Sequence, residues 1–289
     1  MKICRFNDNR LGLVDGDNVI DVTSALDVLP QYRYPLPRFD PLIANLDKIE
    51  KRILEIQASA PRLPLKKVNL LSPVANPGKI IAAPVNYQRH FDEVIKDKDL
   101  HHDVRINHIH KAGLFLKATS AMVGESEGVA LRKLDRRNDH EVELVAIIGK
   151  TANNVSKADA LKYVAGYCIG LDITIRGPEE RSFRKSPESY AVVGPWLTTA
   201  DEISNPGNLG LQISVGDDLR QKSNTSDLIM GVAELIEFAS SFYTLYPGDI
   251  LFTGTPEGVS PIKPGDLLHA RIESLGSMDV QVRAADGSN

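Results

Sequence analysis

What the chain has little of narrows its function first. Its 289 residues include only two cysteines, Cys4 and Cys168, and a pair so far apart argues for reduced thiols in a cytosolic protein rather than a disulfide framework. No segment approaches the roughly 20 apolar residues needed to span a bilayer, so no membrane partner is expected. Basic residues do not exceed acidic ones: 34 Lys and Arg face 38 Asp and Glu, for a net charge of -4. That leaves no electropositive footprint for nucleic acid. The amino terminus, MKICRFNDNRLG, lacks the charged head, apolar stretch and small-residue cleavage site of a secretory signal, and a cytoplasmic location is the expectation. These absences leave small molecules as the expected partners. What is present, 42% hydrophobic and 25% charged residues, is ordinary for a soluble globular chain long enough for a full core.

Residues 1–26 alternate and turn at Asn-Asp-Asn and Asp-Gly-Asp, as short strands in tight hairpins would. After a proline-broken loop, residues 42–60 place Leu42, Leu46, Ile49, Ile53 and Ile56 on one helical face. Residues 1–70 therefore read as a small amino-terminal domain, and 71–289 as the main one. From Lys79 onward, short apolar runs such as KIIAAP, LFLKAT, CIGLDITI and DILFTGTP are separated by Gly, Pro and Asn turns. Two helices are expected among them, one after Ser156 with Asp159 as a capping box and one after Ser226 through LIMGVAELIEFAS. The fold class is β-rich α+β, a roll or sandwich rather than a doubly wound or TIM-type fold.

The segment DHEVELVAIIGK, residues 139–150, puts Glu141 and Glu143 inside a run suited to a buried strand. In an extended strand i and i+2 share a face, so both carboxylates look the same way, with Val145 and Ile147. Two buried like charges call for a cation or a water-filled cleft against that face; an edge strand with a solvated face would serve equally well. Asp172 in CIGLDITI is a third acid in an apolar strand. Together the three would make a site of hard oxygen ligands for Mg²⁺, Mn²⁺ or Ca²⁺, if the two strands meet. Among the seven histidines, five fall between positions 90 and 110. His101, His102, His108 and His110 lie in a polar stretch without zinc-site spacing and read as a solvated loop. His90 differs, because Glu93 at i+3 can orient its imidazole as a general base requires. Gly124-Glu125-Ser126-Glu127-Gly128 matches a serine nucleophile elbow, but the elbow needs a helix after it. GVALRKL reads as a strand, so Ser126 is taken as a turn residue.

In order, NYQRHFDE, FLKATSAMVG, DHEVELVAIIGK, GYCIGLDIT, KSPESYAVVGPW, RQKSNTSD and PGDILFTGTPEGV resemble blocks of the fumarylacetoacetate hydrolase family over roughly residues 72–280. The resemblance implies a mixed β-roll or sandwich catalytic domain, often behind a small amino-terminal domain, and a homodimer. It implies a divalent cation, Mg²⁺ or else Mn²⁺ or Ca²⁺, on Glu141, Glu143 and Asp172. It places a His90–Glu93 dyad on a segment that closes over the site, with Lys185 as the family's lysine. Arg176 occupies the place of a substrate-contacting arginine, Thr255 lies in a pocket-lining block, and Tyr87 and Gln221 sit in family blocks as further substrate-binding candidates.

Family substrates are 2-oxo or 1,3-dicarbonyl acids, so the resemblance implies hydrolysis of a carbon–carbon bond in an acylpyruvate-like acid. A decarboxylase or tautomerase of 2-oxo acids would use the same metal and lysine, and a non-catalytic metal- and ligand-binding member is the reading from another class. The departures from the family pattern cluster near the pocket: Pro84 and Gly177 stand where glycine and aspartate are frequent, and Ala118 follows Lys117 in place of proline. Residues 94–111 are longer than a minimal connection, which suggests a lid touching a distal carboxylate through Arg105, His108 or His110.

Overall fold

The computed structural model describes residues 1–102 and 105–286. Its centre is a 12-stranded sheet in which Val142–Ile148 runs antiparallel between Val164–Asp172 and Ile250–Phe252. The expected alternation along this strand holds. Val142, Leu144, Ala146 and Ile148 pack into one apolar cluster, while Val145 and Ile147 pack into another with Ile80 and Phe252. The solvated edge does not occur. The strand is central and buried on both faces, which is why it reads as a nearly continuous apolar run.

A five-stranded sheet, with Gly210–Val215, Leu267–Ile272 and Gly276–Ala284 at its middle, shares the first cluster through Leu211, Leu268, Ala270 and Val280. The two sheets thus face each other across one core, a sandwich in a β-rich chain with few helices. The helix Val232–Phe242 contributes Val232, Leu235, Ile236 and Ala239 to the same cluster. It starts at Val232 rather than after Ser226, because the amides of Ile229 and Met230 donate to the backbone and side-chain oxygens of Asn86. Tertiary pairing has taken Leu228, Ile229 and Met230 out of the helix. Ser156 does bond Asp159 at 3.0 Å ahead of Lys157–Ala160, but from Val164 the chain is already strand.

Near the amino terminus, Lys2–Phe6, Arg10–Asp15 and Asn18–Asp21 form the expected hairpins. The amphipathic stretch divides at Asn45 into Pro41–Ala44, capped by the Asp40 carboxylate, and Leu46–Ile56. Ile49 and Ile53 bury against Ile3, Leu11 and Ile20 in a cluster of their own. The strands nevertheless extend the main sheet, through Lys2 opposite Thr198 and Ile3 opposite Leu197. No helix among the described residues is long and apolar enough to cross a membrane.

Candidate metal and catalytic site

The chain changes sheets at the acidic residues. Asn138–His140 belongs to a three-stranded sheet with Thr174–Ile175 and Ser260–Pro261, and the main-sheet strand begins at Val142. Glu141 sits at the crossing point. The neighbouring strand makes the same transfer between Asp172 and Thr174, so the two acids face one another, with the Asp172 amide on the Glu141 carbonyl at 2.9 Å. One carboxylate oxygen from each of Glu141, Glu143 and Asp172 lies within 4.8 Å of the others, and all three residues are buried.

Each acid is supported differently. Glu141 accepts from Lys185 Nζ at 2.7 Å, Arg176 Nη2 at 2.8 Å and Thr174 Oγ1 at 3.1 Å. Burial alone would raise its carboxyl, but Lys185 and Arg176 hold it well below the usual range. Asp172 pairs with Lys185 at 2.7 Å and with the wholly buried Lys117. Burial pushes the Lys117 ammonium down against the pull of Asp172.

Among the described residues, Glu143 has no ion-pair partner of its own. It accepts the Gly254 amide at 2.6 Å, and burial, with Asp172 and Glu141 beside it, pushes its carboxyl well above the usual value. Gly254 has φ +100°, and a Cβ there would stand 2.6 Å from that of Asn86, so this close donor depends on glycine. Three buried hard-oxygen donors, one of them short of positive charge, fit a divalent cation.

His90 lies on the helix Gln88–Lys96, with its Nδ1 2.8 Å from Glu93 Oε2. The other Glu93 oxygen accepts the Gly258 amide at 3.0 Å. His90, Glu141, Glu143, Lys185, Arg176 and Thr255 line one cavity of about 40 Å³, space for a few water molecules. Val94, Leu100 and Ile106 wall it on the side of residues 94–111. That wall is apolar. The polar contacts anticipated from this segment are not at the cavity: His108 stacks on His110 with ring centroids 5.2 Å apart, and Arg105 is exposed. Asp103 and Val104 of the segment lie outside the described residues.

Three other candidates are placed less simply. Gln221 is not at the cavity wall. Its Oε1 accepts the Val142 amide at 3.0 Å and its Nε2 donates to Thr255 Oγ1 and the Pro256 carbonyl, both at 2.8 Å, so it braces the wall from behind. Tyr87 is buried with its hydroxyl unpartnered, and burial followed by the nearby Glu143 charge raises that phenol strongly. Such an orphan marks a place for water or ligand. Arg176 donates through Nε to Asp139 at 2.8 Å. At Gly177, where aspartate is frequent, the Arg136 guanidinium occupies the space beside the backbone, and Asp139 holds the Arg176 guanidinium. Ser126, as expected, is a turn residue, its hydroxyl accepting the Leu70 amide at 2.8 Å.

A profile for the carboxy-terminal domain of fumarylacetoacetate (FAA) hydrolase matches residues 79–283. The chain belongs to this family. A maleylpyruvate hydrolase of Aquipseudomonas alcaligenes is 61% identical over 286 residues, covering 98% of this chain and all of that protein. The crystal structure of maleylpyruvate hydrolase from Sphingobium sp. SYK-6, in complex with manganese(II) and pyruvate, superposes with a TM-score of 0.85 at 38% identity, over 99% of this chain and 100% of that one. The rat mitochondrial oxaloacetate tautomerase Fahd2a is 34% identical over 235 residues, 76% of this chain and 71% of that protein.

As individual site residues, Lys117, Asp139, Arg181 and Arg184 were not singled out in the sequence, the first two although they lie inside the family blocks FLKATSAMVG and DHEVELVAIIGK. Lys117 and Asp139 looked like ordinary charges beside named motifs. The two arginines carried a usable signal, an i,i+3 pair directly before Lys185.

Proposed function

We propose that this fumarylacetoacetate hydrolase family protein is a divalent-metal-dependent hydrolase that cleaves a carbon–carbon bond in an acylpyruvate-like 2-oxo acid. The observation that carries the reading is one cavity lined by Glu141, Glu143, Lys185 and the carboxylate-oriented His90, with Asp172 completing the buried triad within 4.8 Å of both glutamates. The substrate named for the 61% identical relative, maleylpyruvate, is the first candidate.

Glu141, Glu143 and Asp172 would hold the divalent cation, Mg²⁺ or else Mn²⁺ or Ca²⁺, which when bound would supply Lewis-acid charge for a 2-oxo acid. The Glu93 carboxylate takes the Nδ1 proton of His90 as its hydrogen bond and so leaves Nε2 as the acceptor. His90 Nε2 removes a proton from water as that water attacks the acyl carbonyl. The acyl fragment leaves as a carboxylic acid, and the bonding pair passes to the pyruvate fragment as an enolate. Lys185 Nζ sets positive charge beside it and can return a proton. Arg176 positions Glu141 through Nη2 and faces the cavity as a candidate for substrate contact. Thr255 shapes the wall, and the unpartnered Tyr87 hydroxyl is a further candidate donor. The same reading takes a cytoplasmic homodimer with residues 1–70 as its small amino-terminal domain.

The 34% identical tautomerase favours enol–keto exchange as the second reading, since exchange needs no nucleophilic water. Product analysis separates them. With Mn²⁺, maleylpyruvate is expected to give maleate and pyruvate in equal amounts, and none in chelator. Exchange of oxaloacetate tautomers without cleavage of any acylpyruvate would overturn the hydrolase reading.

A further inference from the structure

We propose that Arg181 and Arg184 form a second anion site in the cavity and select acylpyruvates whose acyl chain ends in a carboxylate. This inference rests on the hydrolase reading and adds two specificity-determining residues to it, which would meet the terminal carboxylate that a maleyl-type acyl chain carries.

Both arginines lie on the short helix Arg181–Arg184 and line the same cavity as His90, Glu141 and Glu143. The positive charges nearer the triad are already matched. Lys117 and Lys185 hold Asp172, Lys185 and Arg176 hold Glu141, and Arg176 and Arg137 hold Asp139. Arg181 and Arg184 have no carboxylate within ion-pair distance among the described residues. The acids next to them in sequence are committed elsewhere: Glu179 pairs with Arg136 at 2.8 Å, and Glu180 accepts the Ser182 amide at 2.7 Å.

Neither guanidinium is free to reach bulk water fully. Arg181 lies over the Phe115 ring at 5.6 Å. Arg184 gives Nη1 to the Ile175 carbonyl at 3.2 Å, while its Nε is buried with no partner. Two poorly solvated cations that also repel one another and Arg176 call for an anion. A bound dication would add further positive charge to the cavity. The 2-oxo carboxylate supplies one negative charge, and a terminal carboxylate on the acyl chain supplies the one that the arginine pair lacks. A paired guanidinium fork suits that planar group.

The test compares succinylpyruvate with butanoylpyruvate, which replaces the terminal carboxylate by methyl, in the Mn²⁺-loaded enzyme. The wild type is expected to favour succinylpyruvate in kcat/KM, and R181Q and R184Q to lower that preference by about tenfold or more, mainly through KM. R184K, which keeps charge but not the fork, should fall between. The ratio within one preparation does not depend on the fraction of folded enzyme.

Binding gives a readout without turnover. By calorimetry the wild type should prefer 2-oxoheptanedioate to 2-oxoheptanoate, and the variants should lose that preference. Equal turnover of both acylpyruvates, or a preference unchanged in R181Q and R184Q, would overturn the arginine site with the hydrolase reading intact. Turnover of neither, with the binding preference retained, would sink the hydrolase reading and leave the anion site standing.

Discussion

The Asp172 amide donates to the Glu141 carbonyl at 2.9 Å, and Lys185 Nζ then spans their carboxylates at 2.7 Å from each. Backbone pairing therefore fixes the separation of two acids that belong to different strands, and the ammonium, with Arg176, holds the Glu141 carboxyl ionised. Metal binding needs that ionisation. Asp172→Asn and Glu141→Gln are expected to weaken Mn²⁺ binding by more than about 100-fold, beyond what loss of an outer-shell partner costs. Titration calorimetry checks this, and an affinity equal to wild type in Asp172→Asn would remove that residue from the ligand set.

Lys117 offers a second, independent probe. Its ammonium is wholly buried against Asp172, so Lys117→Met leaves three close carboxylates with one fewer compensating charge. Breaking a buried pair costs about 3 kcal/mol or more. The variant should unfold at lower denaturant in EDTA, and Mn²⁺ should restore more stability to it than to the wild type. Equal metal-dependent gains in the two proteins would mean that Lys117 and the cation do not share the same charge.

How much of this was legible beforehand depends on the physics of each feature. Alternation in Val142–Ile148 and the pairing of His90 with Glu93 are local, so periodicity and i,i+3 spacing expose them. The hairpins at Asn7–Asn9 and Gly16 are equally local. Burial of the strand's second face was not legible, because it comes from sheet partners distant in sequence. The start of the last long helix was missed for the same reason: Asn86, far upstream, captures the amides of Ile229 and Met230. At the site, the family blocks point to the triad and the dyad. The replacement of an aspartate after Arg176 by Asp139, on another strand, appears only in three dimensions. Apolar Leu100 and Ile106, rather than the conspicuous histidines, face the cavity, since polarity in a segment says nothing about which residues turn inward.

The dyad predicts a separation between chemistry and binding. His90 touches no member of the triad by hydrogen bond, and its partner Glu93 is anchored to the Gly258 amide at 3.0 Å. His90→Ala should lower kcat for acylpyruvate cleavage by about 10²- to 10⁴-fold while Mn²⁺ affinity holds. Glu93→Gln, which keeps the contact to Gly258 but loses the charge opposite Nδ1, should lower it less. Stopped-flow rates with calorimetry on the same samples decide the matter; loss of metal binding in His90→Ala would assign the histidine a structural role instead.

Away from the site, Glu125 predicts a pH dependence of stability. It sits in the Glu125–Glu127 turn, accepts the Asp279 amide at 2.9 Å, and has its carboxyl raised from 4.5 to about 7 by burial and, less strongly, by the Asp279 charge. Between those two values the folded state binds more protons than the unfolded state, so stability falls as pH rises. The contribution is fully present below about pH 4.5 and is lost by the time pH passes 7. Glu125→Gln can still accept the Asp279 amide and carries no charge to desolvate. It should therefore match the wild type near pH 4.5 and exceed it by about 1 kcal/mol at pH 8, a figure reduced for the partial exposure of the side chain. Urea midpoints of the two proteins at both pH values measure the difference, and a variant less stable than wild type at pH 8 would show that the ionised carboxylate is welcome in that turn.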